Sequence, residues 1–498
     1  MIERTGAQFD LGPILSPLPD PYAQLRLDGA FIYTADPARP VLPNGSLLIR
    51  GSTITAVGTR AEVDAIEGSL APANGRTRRI DAAGKMVLPG FVNNHWHEAA
   101  AVLVSGTTKL DPDDSDTRAL DTTDGANILL TASAFNQLLD VGNALPDDIA
   151  YLFAVRSYLI QLRTGTTCAA DFGSVNRPEL LARALLATGI RGTVSTQAID
   201  GECRANENAF TRTRDTDSIL AQTQAVLERY KDDATGRLRA MPTALWQINA
   251  SDELLKGTAA LAEKYGTPWG SHLAASENES DVTRRYFGVR AVERLYRLGI
   301  LSPRLISAHT SYADDDEFGW IINAGVQLTY SPQKYGATGE TSITRTGQIV
   351  RFIKANAPVT LSSDGDPVPV GYMPESMRMG WLACNDCAED PSVMTPMRAL
   401  SMSTRLGAES LGWSSAIGSL TAGKKADFVI VPIDDWRYEG VRRPLNSFLI
   451  VGGSTDIDTV VVDGRILIEG RSSTFIDEKA LSAAFLRASQ QVAETFSA

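Results

Sequence analysis

The sequence predicts an α/β chain: a (β/α)8 barrel, the TIM-barrel architecture, with a small composite β-sandwich domain built from both chain ends. Three observations carry this. Eight apolar runs of strand length follow one another between residues 91 and 365. Longer stretches with the spacing of amphipathic helices separate several of them. Segments of β character with tight turns bracket that alternating region on both sides. Periodicity alone does not separate a barrel from a doubly wound open sheet.

Residues 1–24 are read as an arm over the surface or over a neighbouring subunit, with four prolines before residue 23 and no periodicity. Residues 25–88 form the first part of the β-sandwich. Their short branched and aromatic runs are broken by turn residues such as Asn44-Gly45. The barrel spans 89–420. Its strands are FVNNHWH (91–97), TTCAADFG (166–173), IRGTVSTQ (190–197), LRAMPTALWQIN (238–249), TPWGSHLAA (267–275), RLISAHTS (304–311), VQLTYSP (326–332) and VTLSSDG (359–365). Helical spacing is found at 147–163, 216–231, 252–264 and 282–298. Residues 421–475 return to strands, with a turn at Asp463-Gly464, and 476–498 close the chain as a helix. The Asp-rich stretch 111–125 is read as a solvated loop, with a lid as the sharper alternative.

Composition narrows the function. The chain has 498 residues, 43 % apolar and 21 % charged, which is ordinary for a globular protein. Lys plus Arg number 47 against 59 Asp plus Glu, a net charge of −12, which argues against a nucleic-acid partner. No apolar run is long enough for a membrane span, and the first twenty residues lack the pattern of a secretory signal. Four cysteines in so long a chain make no disulfide framework and fit a reducing cytoplasm. The expected partner is a small-molecule substrate.

The chain has only four histidines, and their placement is its most informative feature. His95 and His97 are two apart on a strand, so both side chains point to one face. Alone, that pair is either a metal grip or two ordinary inward-facing histidines. His272, His309 and Asp364 end three further strands. Barrel enzymes collect their active groups at such ends, so the set points to one shared metal site.

The segment VLPGFVNNHWHE resembles the first-strand signature of the amidohydrolase superfamily, and His272, His309 and Asp364 follow in that family's order and spacing. The tail LGAESLGWSSAIGSLTAGKKADFVIVP, with DIDTVVVDGR after it, is similar to the family's C-terminal sheet segment. The branch it looks like contains the triazine chlorohydrolases and the guanine and S-adenosylhomocysteine deaminases. The resemblance implies one divalent metal per chain, held by His95, His97, His272 and Asp364. Zinc is the first choice, with iron or manganese as alternatives. It implies that His309 polarises the attacking water and that Asp364 takes its proton. Relatives commonly assemble as dimers or larger, so a homo-oligomer is expected. Two-metal relatives carry a lysine on the fourth strand, and LRAMPTALWQINAS has none.

The chain departs from the family pattern at three places. Where deaminase relatives place a glutamate three residues after the fifth-strand histidine, this chain has Ala275. Glu277 is the stand-in acid, or a helix-start residue. Pro332-Gln333-Lys334-Tyr335 replaces a Pro-x-Ser-Asn pattern. Lys334 and Tyr335 there suggest a substrate with an anionic or carbonyl group, or else a solvated lysine. Trp246 and Gln247 stand where relatives carry a substrate-binding histidine, and could stack on and orient a flat ligand. Glu98 is read as orienting a ligand or as a surface carboxylate, and Cys384 and Cys387 as structural thiols. The expected function is a metal-dependent hydrolase that cleaves a C–N bond of a small cyclic nitrogen compound, by deamination or amide cleavage. The rivals are a dechlorinase or thiol-releasing hydrolase of the same fold, and a non-catalytic ligand-binding relative.

Overall fold

A computed structural model describes residues 9–98, 128–173, 177–339, 341–365 and 372–496. The Asp-rich stretch 111–125 lies outside the described residues.

The chain has an α/β fold with mixed sheets. Each of the eight expected runs from 91 to 365 contains a strand, and all pair in parallel. One sheet orders Leu238–Ala240, Arg191–Val194, Thr166–Asp171 and Phe91–Trp96. The other orders Thr243–Trp246, Trp269–Leu273, Leu305–His309, Gln327–Tyr330 and Val359–Leu361. The expected fourth strand is thus two pieces, one in each sheet. Pro242 lies in the gap between them, and a proline has no N–H for the ladder. At the opposite margins, Asp364 N donates to His95 O at 3.0 Å, tying the end of the eighth strand to the first. These strands are buried on both faces.

A nine-stranded sheet draws on both chain ends. Its order is Ser472–Ser473, Arg465–Glu469, Thr459–Val462, Phe428–Pro432, Lys85–Pro89, Gln24–Tyr33, Val41–Arg50 and Thr53–Thr59, with Thr77–Asp81 beside Gln24–Tyr33. The antiparallel seam between Lys85–Pro89 and Phe428–Pro432 joins the two ends. Leu25, Leu27, Leu47, Ile49, Val87, Phe428 and Ile430 bury a core there. Asp463 and Gly464 both take positive φ, 52° and 75°, and close the tail hairpin as expected. The buried Arg191–Asp427 pair, 2.9 Å, ties this sheet to the parallel strands.

Two local expectations are corrected. Asn44-Gly45 is not a turn but lies inside Val41–Arg50, opposite a register shift at Ala30. A Cβ on Gly45 would meet Ile32 Cδ1 at 2.7 Å, so this glycine permits a bulge and a close approach. The helix expected over 282–298 is two, Glu279–Phe287 and Ala291–Arg297, because Gly288 closes the first in the left-handed region at φ 76°. The described part of the N-terminal arm lies on its own chain: Ser16 N donates to Phe475 O, and Phe9 N donates to Asp148. The closing helix runs Glu478–Phe496.

Candidate metal centre

His95 lies within the first parallel strand, His97 just beyond it, and His272 and His309 at the ends of two others, while Asp364 follows the eighth. All five side chains are buried. The backbone there is unusual. Ala274, His309, Thr310 and Asp364 have φ of 47°, 73°, 44° and 60°, a region that side chains other than glycine avoid at a cost of about 1–3 kcal/mol each. Such strain concentrated at strand ends points to a site whose geometry matters more than local stability.

The Nε2 atoms of His95, His97 and His272 meet at 2.9, 3.1 and 3.2 Å from one another. Asp364 Oδ1 is 3.5 Å from His95 Nε2 and 3.8 Å from His97 Nε2. One ligand atom from each of these four residues lies within 4.8 Å of the others. A tetrahedron with metal–nitrogen bonds of about 2.0–2.1 Å has edges of about 3.3 Å, so the spacing suits one such ion. His272 Nδ1 lies 2.5 Å from the carbonyl of Leu245, which only accepts, so Nδ1 carries the hydrogen and Nε2 presents its lone pair to the cluster.

The protonation states fit as well. Burial lowers His97, His272 and His309 to about 3 and His95 well below its ordinary value, so all four rings are neutral at neutral pH. Burial opposes the charge of Asp364, but the Lys334 ammonium, with Nζ at 3.0 Å, holds its carboxyl well below the usual range. Three neutral imidazoles and one carboxylate are the donor set of a zinc-type ion. A pH dependence follows. Above about pH 6.5 neither the folded nor the unfolded chain protonates these rings. From there down to about 3 only the unfolded chain does, so stability falls as the pH drops. Thermal melts of chelator-stripped protein are expected to show stability falling steadily as the pH drops below about 6.5. A flat stability profile between pH 6.5 and 5 contradicts this.

The model of the amidohydrolase family matches residues 86–467, which include all five site residues. The chain belongs to the amidohydrolase family. That places it among hydrolases. It is similar to a 5-methylthioadenosine/S-adenosylhomocysteine deaminase of Acetivibrio thermocellus, 25 % identical over 91 % of this chain and 96 % of that one. It is also similar to a 5'-deoxyadenosine deaminase of Methanothermobacter thermautotrophicus, 27 % identical over 88 % and 96 %. In fold, this amidohydrolase resembles an adenosine deaminase from Xanthomonas campestris with bound zinc, with a TM-score of 0.79 and 19 % identity over 95 % and 99 % of the two chains. It also resembles the atrazine chlorohydrolase of Arthrobacter aurescens complexed with zinc, with a TM-score of 0.78 and 20 % identity over 93 % and 100 %.

The remaining expected residues divide. Trp246 and Gln247 are buried beside the cluster, the Trp246 ring 5.8 Å from that of His272. Lys334 is buried rather than solvated and reaches Asp364, and Tyr335 Oη lies 2.9 Å from His309 Nδ1. Glu98 is buried, not a surface carboxylate, and burial and then Asp171 push its carboxyl well above the usual range. Cys384 is buried and Cys387 partly so, both as free thiols.

Glu277 does not join the amidohydrolase's cluster. Its side chain is 66 % exposed and pairs with Arg345. The carboxylate that sits beneath Ala275 is Glu279, which sequence reasoning missed. It is buried and accepts from Ala274 N at 2.9 Å, Ala275 N at 2.6 Å and Gln247 Nε2 at 2.6 Å. Burial raises its carboxyl. Two glutamates two residues apart near a helix start look alike in sequence, but Glu277 lies in the turn before the N-cap Asn278 and Glu279 is the first residue of the helix Glu279–Phe287. Glu277→Gln is expected to change turnover less than twofold and stability by about 0–1 kcal/mol. Glu279→Gln replaces an acceptor of three hydrogen bonds and is expected to cost about 1–3 kcal/mol in denaturant melts. A larger loss from Glu277→Gln would reverse this assignment.

Proposed function

We propose that this amidohydrolase is a mononuclear metal-dependent hydrolase that directs water at a C–N bond of a small cyclic nitrogen compound. One divalent ion, zinc first and iron or manganese next, is held by His95, His97, His272 and Asp364. The observation that carries the reading is the convergence of three imidazole Nε2 atoms and one carboxylate oxygen at the ends of parallel strands. The eight parallel strands are read as one closed barrel, and the nine-stranded sheet as its flanking domain. The enzyme is read as a cytoplasmic homo-oligomer.

When bound, the ion supplies a Lewis acid that brings the pKa of a water towards neutrality. Asp364, kept ionised by Lys334, is placed to take a proton from that water. His309, with Nε2 3.5 Å from Asp364 Oδ2, holds and polarises it. Trp246 offers a flat face and Gln247 an amide to the substrate. Ala275 leaves no carboxylate three residues after His272 to protonate a ring nitrogen. The reading is therefore C–N hydrolysis broadly, deamination or amide cleavage, rather than aromatic deamination in particular. The same alanine favours one second reading, loss of chloride or a thiol, which leave without a proton.

A product screen of metal-loaded protein tests this against aminopurine nucleosides, cyclic amides and chlorotriazines. Release of ammonia or an amine is expected. Release of halide or thiol alone would move the assignment to the second reading. Ligand binding without turnover of any compound would overturn both.

A further inference from the structure

We propose that Arg237 and Arg465 form a binding site for a small oxyanion of the phosphate type, where the parallel strands meet the nine-stranded sheet. The site is separate from the metal centre and does not depend on the hydrolase reading above.

Five arginines are buried among the described residues: Arg26, Arg177, Arg191, Arg237 and Arg294. Four of them meet a carboxylate. Arg26 meets Asp28, Asp64 and Glu67, Arg177 meets Asp147, Arg191 meets Asp427, and Arg294 meets Asp252. Arg237 is the exception. It is 5 % exposed and makes no ion pair among the described residues, and its Nη1 is fully buried with no hydrogen-bond partner. A guanidinium does not shed its proton to escape burial, so a charge left in this state is strongly destabilising.

The surroundings add to the imbalance. Gly192 and Leu238 pair in register on parallel strands, so Arg191 and Arg237, one residue earlier on each, stand side by side on one face. The carboxylates at this junction are already engaged. Asp427 takes Arg191 Nε at 2.9 Å and Nη2 at 3.2 Å, and a hydrogen bond from Asp463 N at 2.7 Å. Asp463 accepts from Arg465 Nη1 at 2.8 Å, and its other oxygen faces Lys425 Nζ at 3.4 Å and Arg191 Nη2 at 3.7 Å. Asp233 is turned to the backbone, accepting from N of Arg237 and N of Leu238, both at 3.2 Å. Four cations, Arg191, Arg237, Arg465 and Lys425, thus share the side chains of Asp427 and Asp463. Burial and then the Arg465 charge lower the Arg237 guanidinium from its ordinary value, the mark of a like charge close by.

A dianion between Arg237 and Arg465 balances this count. Guanidinium groups grip oxyanions through pairs of parallel N–H donors. The narrow access that 5 % exposure implies suits an inorganic ion rather than a phosphate carried on a large molecule. Arg191 and Arg237 stand at the N-terminal starts of their strands, whereas His272 and His309 stand at the C-terminal ends of theirs. The two sites therefore lie at opposite ends of the parallel strands.

Phosphate titrated into the metal-loaded chain at constant ionic strength tests this, read by calorimetry and by thermal melts. About one phosphate per chain and a saturable rise in melting temperature of about 2 °C or more are expected. Arg237→Met and Arg465→Gln should each bind phosphate about tenfold more weakly and lose the saturable rise. Without phosphate, Arg237→Met should melt above the unaltered protein, because it removes an unpaired buried charge. His272→Ala, altered at the metal centre, should keep the phosphate response. No phosphate binding by the unaltered chain overturns the proposal without any variant having to fold. Binding lost in His272→Ala and kept in Arg237→Met would put the anion on the metal and overturn it as well. A rise that never saturates and is shared by Arg237→Met is the general effect of excluded salts and has the same consequence. A lower melting temperature for Arg237→Met in phosphate-free buffer would show that Arg237 is stabilised by the protein alone, which also overturns the proposal.

Discussion

Asp364→Asn is expected to lower turnover by roughly three orders of magnitude or more, the scale of losing a metal ligand and a proton acceptor in one substitution. It should also weaken the metal-free protein. Asp364 and Lys334 form a buried pair, 3 % and 7 % exposed at the side chains, with Nζ 3.0 Å from Oδ2. Removing one partner of such a pair costs about 3–5 kcal/mol, because the other charge stays buried. Replacing both removes the mismatch. The double variant Asp364→Asn/Lys334→Met should therefore be more stable than Asp364→Asn alone, though as inactive. Chemical denaturation of the three proteins, with metal removed, gives the coupling directly. Full turnover in Asp364→Asn, or no stability difference between the single and double variants, would contradict the role given to this carboxylate.

His272→Ala is expected to have the second largest effect, and it shows without a substrate. The side chain is 3 % exposed, its Nε2 lies within 3.2 Å of two other imidazole nitrogens, and Leu245 O fixes its ring. Removing it leaves two imidazoles and one carboxylate, one ligand fewer than the four that the unaltered site brings together. Metal retained through gel filtration should fall to about a tenth of that in the unaltered protein or less. With it goes the stabilisation that bound metal provides, about 4 kcal/mol when free metal exceeds the dissociation constant a thousandfold. Loss of stability without loss of metal would mean that His272 serves packing alone.

Much of this was readable from the sequence because the signals were local. A period of two placed His95 and His97 on one face, and strand-length apolar runs marked where His272, His309 and Asp364 would fall. Asp463-Gly464 announced its hairpin through two residues that tolerate positive φ. What escaped depended on tertiary partners. Asn44-Gly45 has the composition of a turn, but its glycine serves the approach of Ile32. The break in the fourth strand at Pro242 becomes meaningful only when its two pieces pair with different neighbours. Glu277 lies in a turn and Glu279 begins the helix, a difference in placement that side-chain type does not encode. Lys334 read equally well as solvated, because nothing in Pro332-Gln333-Lys334-Tyr335 reveals Asp364 across the site.

The central claim is a single-metal cage of four residues, and elemental mass spectrometry of the purified protein alongside Asp364→Asn and His272→Ala tests it most directly. About one zinc, iron or manganese per chain in the unaltered protein, and little in either variant, is the expected result. Two metals per chain would mean a bridging ligand outside His95, His97, His272 and Asp364. No metal, even after incubation with each of the three ions, would contradict the account.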